Sequence, residues 1–259
     1  MPIARAKDTN KDQTYFIWQI KKEQIQKILF PVGEFENKEL VREYAHSKGL
    51  ITSSKPDSQG LCFVGQTSLR EMLLSVLGRK VGDIIVELNE EQIVEIELKV
   101  TKRNTISNNN GIKKIRLGQH DGAFLFTIGQ RQNLGLSNGP WLVSDVDVLN
   151  NEVIVCHSLY SESIELKSIT VSRINWQVDF ESVQSLVYTK SNGKLTIELE
   201  SQIRYRNQAQ KSTFEYNIKS NYGVLTFEKP IKAIAKGQSV VFYSGQILLG
   251  GGVIEEIIK

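Results

Sequence analysis

The hydrophobic pattern of the chain changes near Gly82, and this change constrains the fold more than any other feature. Beyond it, short apolar runs alternate with polar residues, which is typical of strands. Many short strands at modest spacing predict small β-barrels rather than a wound α/β sheet. We expect strands at Ile84–Leu88, Ile93–Val100, Trp141–Val148, Val153–Cys156, Ile164–Val171, Leu195–Ile203, Val224–Phe227 and Val240–Tyr243.

Before Gly82, apolar residues recur at helical spacing. The run from Phe16 to Leu29 predicts a first helix that stops at Pro31-Val32-Gly33. A second helix is predicted from an Asn37 cap to Gly49. A third is predicted from Ser68, where Glu71 completes a capping box, to Gly78.

Composition narrows the class of protein. The net charge of +3 permits a nucleic-acid partner without requiring one. Two cysteines exclude a disulfide scaffold and a paired-cysteine zinc site, and the three histidines have no metal-ligand spacing. Since no apolar run is long enough to span a bilayer and the start has no apolar signal core, we expect a cytoplasmic protein without a membrane partner.

Cys62 lies in a polar loop between the second and third predicted helices. Flanking glycines and a following capped helix would bring N–H donors near the sulfur and favour the reactive thiolate. The alternative is a small buried apolar side chain, which is the commonest fate of a free cysteine. Cys156 belongs to a predicted strand and is expected to pack in a core.

Two polar motifs could contact RNA. In the first, Lys11 could meet a phosphate, while Asp12 and Gln13 could read bases or, the more common role, cap the following helix. In the second, Arg204-Tyr205-Arg206, two guanidiniums flank a ring that could stack on a base. The alternative for this motif is a solvated strand face.

Two glycine-containing motifs predict turns rather than catalysis. Thr127-Ile128-Gly129-Gln130-Arg131 could touch an RNA backbone or shape a domain junction. Leu249-Gly250-Gly251-Gly252 predicts a barrel turn or bulge, since it lacks the pattern of a phosphate-binding loop. Nothing in the sequence resembles a Ser-His-Asp arrangement.

An ordered series of motifs resembles the bacterial and mitochondrial tRNA-specific 2-thiouridylases, the MnmA/TrmU family, which place sulfur on the wobble uridine of tRNA. The series covers nearly the whole chain: Asn10-Lys11-Asp12-Gln13-Thr14-Tyr15-Phe16, Phe30-Pro31-Val32-Gly33, Asp57-Ser58-Gln59-Gly60-Leu61-Cys62-Phe63-Val64-Gly65, Thr127-Ile128-Gly129-Gln130-Arg131, Pro140-Trp141, Arg204-Tyr205-Arg206, Gly237-Gln238-Ser239, Val241-Phe242-Tyr243 and Leu248-Leu249-Gly250-Gly251-Gly252.

The resemblance implies roles for individual residues and a fold. Cys62 would carry a persulfide whose terminal sulfur attacks C2 of an ATP-activated uridine 34. The implied tRNA contacts are Lys11, Asp12, Gln13, Arg204, Tyr205 and Gln238. The implied fold is α+β, mainly β: a helical remnant of the catalytic domain over residues 1–75, a small central β-domain over 76–158 and a C-terminal β-barrel over 159–259.

The sequence also departs from the family. It contains neither the Ser-Gly-Gly-x-Asp-Ser loop of the nucleotide-binding half nor the second catalytic cysteine found there. We therefore expect this chain to bind no cofactor itself, ATP with magnesium belonging to the missing half, and to be inactive alone. Expected partners are tRNA, a sulfur-relay persulfide donor protein and a possible separate ATP-pyrophosphatase subunit. The alternatives are a catalytically inactive tRNA-binding module and a truncated fragment.

Overall fold

A computed structural model describes residues 2–55, 67–99, 101–179, 187–191 and 194–258. They group into two compact units. The first, the barrel unit, contains the described residues within Met1–Pro56, Leu166–Ile231 and Ala235–Lys259. The second, the sheet unit, contains those within Asp57–Glu165 and Lys232–Ile234. The predicted three-way division at residues 75/76 and 158/159 stays a prediction.

The sheet unit is built on five strands. In chain order these are β1 (Gly82–Asn89), β2 (Thr105–Asn109), β3 (Ile112–His120), β4 (Trp141–Asp147) and β5 (Glu152–His157). Their spatial order is β2-β3-β1-β5-β4, and β1 and β5 run parallel while the other neighbours are antiparallel. Alternation in β5 buries Val153 and Val155, whereas Cys156 is half-buried. Cys156 is therefore only partly buried, whereas we expected it to pack in the core.

The barrel unit holds a closed barrel. Its strands are β6 (Glu165–Trp176), β7 (Val187–Ser191), β8 (Lys194–Gln202), β9 (Gln210–Asn217), β10 (Tyr222–Lys232), β11 (Ser239–Ser244) and β12 (Ile247–Ile258). The order β11-β12-β6-β10-β9-β8 closes because β11 also pairs with the end of β8, while β7 pairs with its beginning. The mainly β fold with a C-terminal barrel is thus confirmed.

Aromatic side chains fill the barrel. Phe214 and Phe242 are fully buried and their ring centroids are 4.9 Å apart. Trp176 packs against Phe242 at 5.5 Å. The register of β12 shifts at Gly251, where an added Cβ would lie 2.7 Å from the Val240 carbonyl oxygen, so the predicted bulge is confirmed.

Helices occur in both units. They are α1 (Thr14–Ile17), α2 (Lys22–Ile25), α3 (Lys38–Ser47), α4 (Leu69–Leu77) and α5 (Glu90–Glu95), with short 3₁₀ helices at Ala123–Leu125 and Ser158–Ile164. The second and third predicted helices are confirmed as α3 and α4. Asn37 caps α3 through Leu40, and Ser68 and Glu71 form the capping box of α4. No described helix is both long and apolar enough to cross a membrane.

Two sequence predictions are wrong. The strand expected at Ile93–Val100 begins as helix α5, because Asn89 and Gln92 form a capping box and the helical spacing buries both Ile93 and Ile96. The long helix expected from Phe16 to Leu29 is instead the short pair α1 and α2.

Tertiary contacts explain why α1 is short. The side-chain amide of Asn175 in β6 donates to the Trp18 carbonyl at 2.6 Å, and that of Gln177 donates to the Ile17 carbonyl at 2.6 Å. The Ile17 carbonyl also accepts from the Ile20 amide at 3.1 Å, so the chain leaves α1 through a tight turn that the barrel side chains hold in place. Trp18 is 3% exposed and packs with Tyr243 and Leu248. The first helices are therefore attached to the barrel.

Candidate nucleic-acid interface

Asp12 holds the beginning of α1 in place. Its carboxylate accepts hydrogen bonds from the Thr14 amide at 3.1 Å, the Thr14 hydroxyl at 2.9 Å and the Ala6 amide at 3.3 Å. The Arg5 guanidinium lies 3.8 Å away, and the Asp12 side chain is only 10% exposed. The carboxylate oxygens therefore already accept from the protein at the residue before the N-cap, Gln13.

Lys11 and Gln13 differ from Asp12 in their exposure to solvent. Both residues are exposed. The Gln13 backbone begins α1 and its carbonyl accepts from the Phe16 amide at 3.0 Å, but its side chain makes no capping hydrogen bond. The capping alternative therefore does not apply to the Gln13 carboxamide.

Tyr15 connects three segments that are distant in sequence. Its hydroxyl lies 3.1 Å from the Ile203 carbonyl oxygen and 2.9 Å from that of Ser239, positions to which it can donate. Ile203 precedes Arg204, and Ser239 follows Gln238. The side chain of Tyr15, two residues after Gln13, thus contacts the backbone beside both barrel motifs. Burial raises the pKa of Tyr15, so the neutral hydroxyl that donates is favoured.

Arg204 opens a tight turn after β8. The Asn207 amide donates to the Arg204 carbonyl at 3.1 Å, which closes a four-residue turn with Tyr205 and Arg206 at its centre. The Gln202 side-chain amide donates to the same carbonyl at 2.9 Å. Partial burial lowers the pKa of the Arg204 guanidinium, while nearby Tyr15 opposes that shift. Even a lowered arginine pKa leaves a cation near neutral pH.

Tyr205 contacts two exposed side chains. The Phe16 ring lies 4.7 Å from the Tyr205 ring between centroids, at an interplanar angle of 49°. The Arg206 guanidinium carbon lies 5.3 Å from the Tyr205 ring centroid. An aromatic and cationic surface therefore forms where α1 meets the turn after β8.

Gln238 ends the turn that leads into β11. Its amide donates to the Ala235 carbonyl at 3.4 Å, and its own carbonyl accepts from the Ile254 amide at 2.9 Å. Gly237 within this turn has a φ of +79°, a conformation that favours glycine. Gln238 is half-buried, and its backbone is fixed beside the Ser239 carbonyl that Tyr15 contacts.

Cys62, the expected persulfide carrier, lies outside the described residues. Among the described residues, no group of three or more His, Cys, Asp or Glu side chains could hold a metal ion. Sequence analysis does not single out Tyr15, because its hydrogen-bond partners are 188 and 224 residues away in the chain. The spacing of residues within a local motif carries no signal of such distant contacts.

Comparison with known proteins identifies three matching family models. These are the tRNA methyl transferase HUP domain over residues 1–66, the tRNA methyl transferase PRC-barrel domain over residues 91–157 and the aminomethyltransferase beta-barrel domain over residues 166–254. Together the three models account for most of the chain, in the order expected of one family.

Curated relatives agree with these matches. The chain is 36% identical over 259 residues to the tRNA-specific 2-thiouridylase MnmA of Mycoplasma mycoides, covering 99% of this chain and 60% of that relative. It is 33% identical to those of Streptococcus sanguinis, over 263 residues, and Listeria innocua, over 259, with the same shares covered. The chain thus spans about 60% of the length of the curated relatives it matches. It belongs to the tRNA-specific 2-thiouridylase family, MnmA/TrmU.

Proposed function

We propose that this chain supplies the tRNA-binding and persulfide-carrying part of an enzyme that thiolates uridine 34 of tRNA. The single observation that carries the proposal is the convergence at Tyr15, whose side-chain hydroxyl contacts the carbonyls of Ile203 and Ser239. These two residues adjoin Arg204 and Gln238 in the chain. That convergence supports one continuous RNA-binding surface with Lys11, Gln13, Arg204, Tyr205 and Gln238 as its contacts. Asp12 would then act as the residue that positions Lys11 and Gln13.

In this proposal the Cys62 thiolate takes the outer sulfur of a donor persulfide, which leaves the donor as a thiol. The outer sulfur then attacks C2 of the adenylated uridine, and AMP leaves. The attacking group is the deprotonated outer sulfur of the Cys62 persulfide, because the anion and not the neutral form is the nucleophile. The second cysteine, which belongs to the ATP-pyrophosphatase half, attacks the Cys62 sulfur, releases 2-thiouridine and forms a disulfide that a thiol reductant reopens. The sequence has no Ser-Gly-Gly-x-Asp-Ser loop, so we assign no residue of this chain to ATP or magnesium. Activation of the uridine belongs to an ATP-pyrophosphatase half, supplied in cis or in trans.

Reconstitution tests the catalytic part of the proposal. The chain is combined with the ATP-pyrophosphatase half of a 2-thiouridylase, unmodified tRNA, ATP, magnesium, a persulfide donor and a thiol reductant. The product 2-thiouridine is measured by mass spectrometry. We expect thiolation that Cys62→Ser abolishes and that the matched control Cys156→Ser retains. Thiolation by the Cys62→Ser chain would exclude the persulfide role.

Measurements of tRNA binding and of sulfur loading on Cys62 distinguish a role in thiolation from a role in tRNA binding alone. An Arg204→Ala variant should bind tRNA more weakly and lose about one unit of the logarithmic salt dependence, as expected for one cation that meets a phosphate. If the parent chain binds tRNA but Cys62 never accepts sulfur from the donor, the chain is a tRNA-binding module. If the parent chain does not bind tRNA, the proposed function is wrong.

A further inference from the structure

Phe16 is exposed in a helix that is otherwise held against the barrel. In α1, Thr14 is 5% exposed and the adjoining Trp18 is 3% exposed, whereas Phe16 is 57% exposed. Its ring is nevertheless supported, because it meets the Tyr15 ring edge-on at 5.4 Å and the Tyr205 ring at 4.7 Å. An aromatic ring that packs against other rings and is also open to solvent can stack with another planar group.

Arg206 occupies a backbone position that suits glycine better. It is third in the four-residue turn from Arg204 to Asn207 and has a φ of +66°, while Tyr205 before it has no positive φ. This pattern is that of a type II turn, in which glycine or asparagine is usual at the third position. An arginine there costs roughly 1 kcal/mol or more compared with glycine.

The side chains of this turn indicate which kind of ligand would bind there. Arg204 and Arg206 place two guanidiniums on either side of Tyr205 in sequence, and Arg206 lies against the Tyr205 ring. Planar apolar rings next to cations favour a ligand that combines a flat aromatic group with a negative charge. An unpaired nucleotide has both, whereas a base inside a duplex has its faces covered.

We infer that Phe16, Tyr205 and Arg206 form a platform on which one unpaired base of the bound RNA stacks while Arg206 meets its phosphate. This inference rests on the proposed function and adds Phe16 and Arg206 to the RNA-binding surface. Phe16 provides the open aromatic face, and Tyr205 supports it. The platform selects for an unpaired nucleotide, not for a particular base, because each base has a face that can stack.

Titrations of a fluorescently labelled, unmodified tRNA transcript with the 259-residue chain test the platform. Phe16→Ala should weaken binding by about 5- to 150-fold, the range for loss of one stacked base. Phe16→Leu should weaken it similarly, since leucine is apolar but has no aromatic face, and Phe16→Trp should keep the affinity within about twofold. Phe30→Ala, which removes another exposed ring, is the matched control and should leave binding unchanged.

Arg206→Gly separates stability from binding. Glycine suits the turn, so the temperature of unfolding should stay the same or rise while the affinity for tRNA falls and the salt dependence weakens by about one logarithmic unit. This variant keeps the test decisive even if Phe16→Ala fails to fold. A parallel titration with a fully paired RNA duplex should show no effect of Phe16→Ala, because no base is free to stack.

These variants distinguish failure of the stacking platform from failure of the proposed tRNA-binding function. If Arg204→Ala weakens tRNA binding while Phe16→Ala and Arg206→Gly bind as the parent does, the platform is refuted and the RNA-binding surface remains. Normal binding by Phe16→Leu with weak binding by Phe16→Ala would indicate packing instead of stacking and would also overturn the inference. Absence of tRNA binding by the parent chain would remove both the inference and the proposed function.

Discussion

Helices α1 and α3 belong to the same unit and differ in what their side chains contact. In and next to α1, Thr14 and Trp18 are buried against the barrel, whereas α3 has no buried residue. Its apolar side chains Leu40 and Tyr44 are 39% and 55% exposed. Although α1 has only four residues and α3 has ten, the shorter helix is the better anchored. Helix length is therefore a poor guide to which segment carries the fold, because packing supplies most helical stability.

Local contacts hold α3 together. The Asn37 side chain accepts from the Leu40 amide at 2.9 Å at one end. At the other end, Gly49 has a φ of +70° and the Leu50 amide donates to the Ala45 carbonyl at 3.0 Å. These are the caps that the sequence predicts, and they fix the limits of a helix without attaching it to anything. The two helices should consequently respond very differently to substitution.

Replacement of Trp18 should have the largest effect. Trp18→Ala would remove a buried ring that packs with Tyr243 and Leu248, and we expect the free energy of unfolding to fall by about 3–5 kcal/mol. The matched control Tyr44→Ala removes an exposed ring from α3 and should change it by less than about 1 kcal/mol. Urea denaturation followed by circular dichroism measures both. Equal losses in the two variants would mean that the helices are not anchored differently.

Alkaline pH should weaken the attachment of α1. Burial raises the pKa of Tyr243 to about 12, with its hydroxyl 3.0 Å from the Thr14 hydroxyl and the Arg5 guanidinium 3.5 Å from its ring centroid. An unfolded tyrosine ionises near pH 10, so the stabilisation is complete below pH 10 and is lost as the pH rises from 10 towards 12. The loss from this group is at most about 3 kcal/mol.

The measurement is the unfolding free energy at a series of pH values, together with the ultraviolet absorbance of ionising tyrosine. Tyr243→Phe is the control, since it keeps the buried ring but has no proton to lose. The parent should lose more stability than the variant between pH 10 and 12. Parallel curves for the two proteins would show that Tyr243 does not ionise abnormally.

The sequence predicts local features of this protein well. Caps such as Ser68 with Glu71 depend on residues a few positions apart, and the alternation in β8 reflects one buried and one more exposed face. Strand β11 is instead a continuous apolar run that is buried on both faces. Local signals can mislead when they are short. Ile96, Leu98 and Val100 alternate as in a strand, whereas Ile93 and Ile96 have helical spacing, and the cap at Asn89 favours the helix. Strand β12 was not predicted, because three glycines interrupt its alternation.

The candidate site is predictable in part. The motif residues Lys11, Arg204 and Gln238 can be named from the resemblance, but their arrangement depends on Tyr15, which bonds to backbone carbonyls rather than to recognisable side chains. The sequence also does not show that the Asp12 carboxylate bonds within the protein while the Gln13 side chain makes no capping hydrogen bond. Such long-range backbone contacts leave no pattern in a single sequence.

Removal of the barrel's hydrogen bonds to α1 should have an intermediate effect. Asn175 donates to the carbonyls of Trp18 at 2.6 Å and Ile20 at 3.1 Å. Asn175→Ala would leave these carbonyls with fewer donors, and we expect a loss of about 1–3 kcal/mol in the free energy of unfolding. Asn175→Asp should be at least as harmful, because a carboxylate would face the carbonyl oxygens. Denaturation of the two variants beside the parent measures this, and an unchanged midpoint for both would show that Asn175 does not anchor α1.

Loss of the α3 cap should have the smallest and most local effect. Asn37→Ala removes the acceptor for the Leu40 amide, and a cap contributes about 1 kcal/mol, which corresponds to roughly a fivefold change in the opening of the helix. Because α3 buries no side chain, its opening need not disturb the barrel. Amide hydrogen exchange should therefore accelerate about fivefold within Lys38–Ser47 and remain unchanged in β8 and β11. Faster exchange throughout the barrel strands would show instead that α3 and the barrel unfold together, and the contrast between the two helices would then be one of exposure but not of stability.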